Sequence, residues 1–282
     1  ILFLILIFNI FVRIRLYFMN NNFVIITSNE LRHIYFYKSL CLLNPKSFFF
    51  IYEEYNSQSQ LITSKKNKNE LYMDHFLTRK QTEEDFFFNY LKYKPRNFKK
   101  TNVKYGNINN TIYLEQLKKI KPKFIISFGS SILKNQMIKL FKNRMINVHL
   151  GISPKYRGAG TNFFPIINKE IQYLGVTYMF TNEVIDGGDI IHHETPNIYL
   201  NDNVHIIGNR IISKIPSTLS KLIKIPSLYK YKIQQKFSTN DRIYKKKDFN
   251  AKILEHYSKN YKQNINQFVK NPKLAKNLIS II

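Results

Sequence analysis

The alternation of apolar and polar positions marks out the first elements between residues 23 and 52. Residues 23–27, FVIIT, form a short β-branched run of the kind that fills a buried strand. Ser28 and Asn29 follow as helix-capping residues with Glu30 in the first turn, and apolar residues then recur at helical spacing over 31–43. Residues 47–52, SFFFIY, predict a second strand. A strand–helix–strand opening predicts a parallel sheet and an α/β class. From 54 to 112 the pattern weakens: the segment is polar, rich in Lys and Asn, and free of glycine until Gly106. One amphipathic helix is predicted over 83–93, and loop or insertion for the rest.

Order returns at 113–121, YLEQLKKIK, as a helix that ends before Pro122. KFIISFG (123–129) is the clearest buried strand. A helix is predicted over 132–142, a strand at MINVHLG (145–151), a short helix at 161–169, and strands at GVTYMF (175–180) and DIIHHE (189–194). Residues 203–223 have helical spacing, with Pro216 expected to kink or split the element. The last sixty or so residues are rich in Lys, Tyr and Asn and only weakly periodic. The expected organisation is a catalytic domain over 19–225 and a small C-terminal extension over 226–282.

Residues 1–18 stand apart. They are apolar for twelve residues, broken by Asn9, which is short of the ~20 needed for a membrane span. Their charges lie on the wrong side for a signal peptide. They read as an extension that is not native to the domain, with a short membrane-associating anchor as the alternative. No stable membrane partner is expected.

The charge balance changes the picture less than its size suggests. Lys and Arg number 44 against 18 Asp and Glu, a net +26. A polyanion partner is one reading, and a basic nucleic-acid-binding protein is the corresponding non-enzyme alternative. Lys, Asn, Ile, Tyr and Phe are enriched together, however, while Ala is nearly absent, as A/T-rich coding produces. Lys also far outnumbers Arg, whereas nucleic-acid sites favour Arg geometry. The single cysteine, Cys41, excludes an internal disulfide and a cysteine-built zinc site. It falls in an apolar helical pattern, reads as a buried small hydrophobe, and suits a cytoplasmic location.

Three segments carry candidate chemistry. Gly129-Ser130-Ser131 follows a buried strand, where open α/β sheets bind ligands; an ordinary capped turn explains it equally well. NVHLGISPKYRGAG (147–160) holds three of the chain's nine glycines. Asn147 and His149 are two apart on a strand, so both point to one face. An amide beside an imidazole can hold an oxyanion and move a proton, although a structural Asn and a core His are an even alternative. In EVIDGGDII (183–191), Asp186 precedes two glycines and a strand. It can orient His149, or it can serve only the turn.

Taken jointly, Asn-x-His, the loop GISPKYRG and the later IDGGDII resemble the formyltransferases that use 10-formyltetrahydrofolate. The resemblance covers roughly 19–225 and is specific from 123 to 191. It implies a Rossmann-like, mostly parallel sheet with helices on both faces, and a cytoplasmic enzyme of one-carbon metabolism. It matches Asn147 to the amide that stabilises the tetrahedral oxyanion, His149 to the general acid/base, and Asp186 to the carboxylate that orients the imidazole. It matches Ser130, Ser131, Ile132 and Leu133 to one wall of the folate pocket, and Val184 and Ile185 to the loop over it. The loop departs from the more usual Ser-Leu-Leu-Pro. The resemblance implies 10-formyltetrahydrofolate as formyl donor and no metal.

The resemblance implies a primary amine as acceptor. Glycinamide ribonucleotide enzymes resemble one another in an N-terminal glycine-rich phosphate loop. Here that position reads IITSNELRH, without glycine, although Arg32 and His33 can meet a phosphate at the helix start. Methionyl-tRNA enzymes carry a C-terminal β-barrel that the tail does not suggest, so tRNA is a possible partner but not the favoured one. A small amine is expected, with an amino-sugar nucleotide favoured. Of the remaining histidines, at most one of His192 and His193 faces the cleft, and His33, His75, His205 and His256 are expected to be structural or solvated.

Overall fold

The computed structural model describes residues 21–55, 70–275 and 278–282. The readings made for residues 1–18 lie outside the described residues. The chain opens as expected, with β1 (Asn22–Ser28), α1 (Leu31–Leu43) and β2 (Phe48–Tyr55). The next stretch departs from expectation. The helix expected over 83–93 belongs to a longer one that starts earlier, α2 (Glu70–Phe87), followed by a short 3-10 turn, and where loop was expected there is β3 (Phe98–Lys104). Only Glu83 and Phe87 are buried on α2, so it lacks the apolar stripe by which a helix is recognised. Strand β3 contributes one buried side chain, Val103, and exposes three lysines. It forms because β2 has an open edge for its backbone to pair with, and lysines suit a sheet edge.

From there the order is α3 (Thr111–Ile120), β4 (Phe124–Phe128), α4 (Asn135–Leu140), β5 (Met145–Leu150), β6 (Tyr156–Gly158), α5 (Phe164–Ile167), β7 (Val176–Phe180) and β8 (Ile190–Glu194). Helix α4 is shorter than the expected 132–142. Helix α6 (Val204–Leu222) runs through Pro216 as one element rather than splitting there. The tail holds β9 (Arg242–Tyr244) and the twenty-residue α7 (Ala251–Lys270), where only weak periodicity was expected. Leu254, Tyr257, Asn264 and Ile265 form the buried stripe of α7. Asn and Lys between them dilute the apolar signal.

Seven strands make one sheet in the order β3-β2-β1-β4-β5-β7-β8. All pairs from β3 to β5 are parallel, and β5–β7 and β7–β8 are antiparallel. This is the expected mostly parallel α/β sheet. Alternate residues of β1 divide between two cores: Phe23 and Ile25 face the layer of α1 and α6, and Val24 and Ile26 face that of α3 and α4. A third core joins Tyr156, Phe163 and Phe164 to Val204, Leu254 and Tyr257, so the tail packs against the loop that follows β5. The sheet reverses its winding between β1 and β4, which is where ligands settle beyond carboxyl ends of strands.

Candidate active site

Strand β5 brings Asn147 and His149 to one face, and a single carboxylate joins them. The amide Nδ2 of Asn147 donates to Asp186 Oδ1 at 2.9 Å, and its Oδ1 accepts from the Ser127 hydroxyl at 3.1 Å. A carboxylate can only accept, so the amide nitrogen must face it. One Nδ2 proton is thereby committed and the other is free to meet a ligand oxygen. Asp186 Oδ2 lies 3.2 Å from His149 Nδ1 and accepts from the Gly158 N–H at 2.9 Å. Nε2 of His149 lies 3.0 Å from the Tyr156 carbonyl. His149 is 7 % exposed, so its ring is held from both sides and moves little.

Asp186 occupies the left-handed region, with φ of 46°, which Asp tolerates better than most residues. Its turn is clamped from the tail. Gln235 Nε2 donates to the carbonyls of Asp186 at 3.0 Å and Gly188 at 2.7 Å. Ile233 pairs with Ile190, and Lys232 forms a 2.7 Å ion pair with Asp189. Asp189 thus starts β8 and anchors the tail.

Two glycines of 147–160 have local reasons. A Cβ on Gly158, at φ of 91°, would stand 2.1 Å from the Tyr244 carbonyl oxygen. The residue therefore lets β6 lie against β9 while its N–H reaches Asp186. A Cβ on Gly151 would stand 2.8 Å from His149 Nε2, so a side chain there would displace the imidazole.

The residues expected around a folate divide in two. Ser131 and Leu133 turn inward: Leu133 joins the core under α3 and α4, and Ser131 is buried against Glu54. Glu54, fully buried, accepts from the Ser131 N–H at 2.6 Å and hydroxyl at 2.8 Å, and from the Gly106 N–H at 2.8 Å. Ser130 bonds the Ser131 carbonyl. Ile132, Val184 and Ile185 are exposed by 75, 48 and 52 %. Lys139 and Glu183, 3.8 Å apart, link α4 to the segment that carries Val184 and Ile185.

Other expectations meet firmer outcomes. Arg32 is not free for a phosphate: it pairs with Glu30 and, at 2.5 Å, with Glu83, and Arg79 joins the same two carboxylates. Burial alone would raise the Glu30 carboxyl, but the charges of Arg32 and Arg79 outweigh it and hold the group down at about 2. His33 bonds Ser28 and covers Gly129. His75 and His205 face each other with ring centroids 4.4 Å apart. His192 and His193 are both buried and both receive backbone N–H donors from residues 279–281, so neither is free. Burial lowers His193 to about 4. Cys41 is fully buried and free, and burial pushes its thiol up.

Three contributors escaped the sequence reading. Ser127 had a visible signal, as the one hydroxyl in the apolar run FIISF. Glu54 and Gln235 had none, because each acts on a segment distant in sequence.

Comparison with known proteins gives the same placement. A family model described as Formyl transferase matches residues 49–223. The methionyl-tRNA formyltransferase of Finegoldia magna is 27 % identical over 181 residues, 58 % of this chain and 52 % of that protein. The chain thus spans about half the length of the curated relatives it matches. In fold it is similar to a phosphoribosylglycinamide formyltransferase from Anaplasma phagocytophilum (TM-score 0.53, 13 % identity, 80 % of this chain and 99 % of that one). It is also similar to the formyltransferase PseJ from Anoxybacillus kamchatkensis (TM-score 0.50, 16 % identity, 86 % and 97 %). With most of the sheet and α6 inside the matched residues, this chain belongs to the formyl transferase family.

Proposed function

We propose that the chain transfers the formyl group of 10-formyltetrahydrofolate to a primary amine, with Asn147, His149 and Asp186 as its catalytic residues. The observation that carries this reading is the convergence of Asn147 and His149 on the Asp186 carboxylate beside the switch in sheet winding. In this reaction the amine nitrogen attacks the formyl carbon and the carbonyl oxygen becomes an oxyanion. The uncommitted Nδ2 proton of Asn147 suits that oxygen, and its orientation is set beforehand by Ser127 and Asp186. The attacking nitrogen must then lose a proton and the departing folate nitrogen must gain one. His149 shuttles that proton through Nε2 once substrate replaces the Tyr156 carbonyl as its partner, while Asp186 holds Nδ1 and keeps the ring in place. Water held against the exposed edge of the ring would compete with the amine, so closure by bound substrate favours transfer over hydrolysis.

The residues around the centre fit the donor. Ile132, Val184 and Ile185 present exposed apolar side chains, suited to a flat heteroaromatic ring. The turn at 129–133, pinned by Glu54, offers backbone groups for the ring's polar edge. In this proposal Ser130, Ser131, Ile132, Leu133, Val184 and Ile185 hold the folate, Ser131 and Leu133 through main chain only.

For the acceptor we favour an amino-sugar nucleotide. The commitment of Arg32 to Glu30 and Glu83 argues against a phosphate at the start of α1. PseJ, a fold neighbour, is described in complex with a UDP-linked formamido sugar and tetrahydrofolate. Methionyl-tRNA is the second reading, since the curated relatives carry that name. Incubation with 10-formyltetrahydrofolate and each of an amino-sugar nucleotide, glycinamide ribonucleotide and methionyl-tRNA, read by mass of the formylated product, separates these. Formylation of the amino-sugar nucleotide alone is expected; formylation of none of the three sinks the activity.

A further inference from the structure

Arg157 lies in β6 beside the proposed centre and is 7 % exposed. Its neighbour Gly158 donates to Asp186, and its own backbone pairs with β9, yet the Arg157 side chain makes no hydrogen bond and no ion pair with a described residue. Its Nε is sealed from solvent without a partner. Its one contact of note is a ring: the guanidinium stacks on Phe237, 4.2 Å from the centroid. Burying a guanidinium without an anion is costly. The other largely buried arginines do not tolerate it: Arg32 and Arg79 share Glu30 and Glu83, and Arg210 binds Asp202 through both Nη atoms. Arg157 is the exception, and it is found next to the residues that hold Asp186.

Among the described residues the nearest carboxylate, Asp186, is already committed. Oδ1 of Asp186 is used by Asn147, and Oδ2 by His149 and Gly158. Phe237 belongs to the tail segment whose Gln235 clamps the Asp186 turn, and its ring tip would stand 3.2 Å from a Cβ on Gly187. The stacked ring fixes one face of the guanidinium, which leaves its N–H edge as the binding surface. A planar fork with fixed orientation matches an oxyanion with two oxygens on one side.

We propose that Arg157 seats an oxyanion, carboxylate or phosphate, carried by a ligand of the active site. The proposal rests on the formyl-transfer reading for the site's ligands, and in that reading two ligands carry such a group: the glutamate carboxylates of the folate and the phosphates of a nucleotide acceptor. Gln235 and Phe237 support the seat from the tail, outside the residues matched by the family model.

The test is isothermal titration of the full chain with inorganic phosphate, tetrahydrofolate and tetrahydropteroate, which lacks the glutamate. Wild type is compared with Arg157→Met and Arg157→Lys, each checked for its fold by circular dichroism. The lysine variant keeps a charge in place and carries the test if the methionine variant does not fold. Phosphate is expected to bind wild type and to weaken at least about tenfold in both variants, the scale of a lost charge-assisted bond. If tetrahydrofolate also weakens while tetrahydropteroate does not, the natural occupant is the donor's glutamate. If both folates bind the variants as they bind wild type, the occupant is the acceptor's phosphate. Identical behaviour of wild type and variants toward all three probes overturns the proposal. So does equal loss of both folates with phosphate unchanged, which would assign Arg157 a packing role. A wild type that binds phosphate through Arg157 but takes up neither folate would sink the formyl-transfer reading and leave the seat standing.

Discussion

Two charged clusters flank the carboxyl ends of the strands, and they are built on opposite plans. At the start of α1, Glu30, Arg32, Arg79 and Glu83 neutralise one another with His75 and His205 behind them. Around Asp186, one carboxylate serves Asn147, His149 and the Gly158 N–H, with Arg157 beside it unpaired. The first cluster has more ionisable groups and pairs its carboxylates with its own arginines. The second has fewer, but leaves an amide proton and a guanidinium edge available, and holds one imidazole nitrogen by nothing more than a main-chain carbonyl. Unused capacity, rather than density of charge, is what distinguishes a site from a brace.

The comparison predicts that substitutions in the two clusters fail in different ways. His149→Ala should lower kcat by about 10²- to 10⁴-fold, the usual contribution of a positioned acid/base, with the fold retained. A loss below tenfold in steady-state turnover would remove His149 from the chemistry. Arg32→Met should do the reverse. It leaves the buried Glu83 with Arg79 as its remaining charge partner, so urea denaturation should show a loss of about 1–3 kcal/mol, the scale of lost charge-assisted hydrogen bonds, while kcat of the folded fraction changes less than about twofold. An unaltered stability would mean that the brace is not one.

Gln235→Ala tests the join between tail and centre. Freed of its clamp, the Asp186 turn should sample other conformations and kcat should fall roughly tenfold, with Gln235→Glu failing to rescue because it lacks the donor. A structural role alone would move stability and leave the rate of folded enzyme intact.

The smallest effect concerns pH. Burial lowers His75 to about 4 and His205 to about 2 in the fold. Both groups bind protons more readily once unfolded, so their contribution to stability is whole above about pH 6.5 and is lost progressively as pH falls from there to about 4 for His75 and about 2 for His205. The melting temperature should drop by roughly 5 °C or more from pH 7 to pH 4, and His75→Phe should flatten that slope. A slope unchanged in the variant would show that the pair is not buried neutral.

Legibility followed the kind of signal each part carries. β1, β4, β5 and β7 were visible because both faces of each are buried, which writes a continuous apolar run. The same logic hid β3 and α2. β3 has a single buried side chain and α2 is fastened by Glu83, so neither repeats an apolar position often enough to register. Helix α7 was hidden by Asn and Lys within an aromatic stripe. For the site, Asn147 and His149 share a strand face, and that much follows from spacing. Their meeting with Asp186 does not, since it depends on β7 and the turn before β8 folding back alongside β5. Gln235 and Glu54 lay beyond any local pattern, because their partners are 47 to 77 residues away.

The most direct measurement of the central claim is a single-turnover reaction with formyl-labelled 10-formyltetrahydrofolate and the acceptor found in the panel, comparing wild type with Asp186→Asn. The amide keeps the size of the side chain but cannot accept from three donors at once. The account predicts label on the amine with wild type and a rate at least about a hundredfold lower in the variant, with folate binding retained. Equal rates in the two proteins would contradict it.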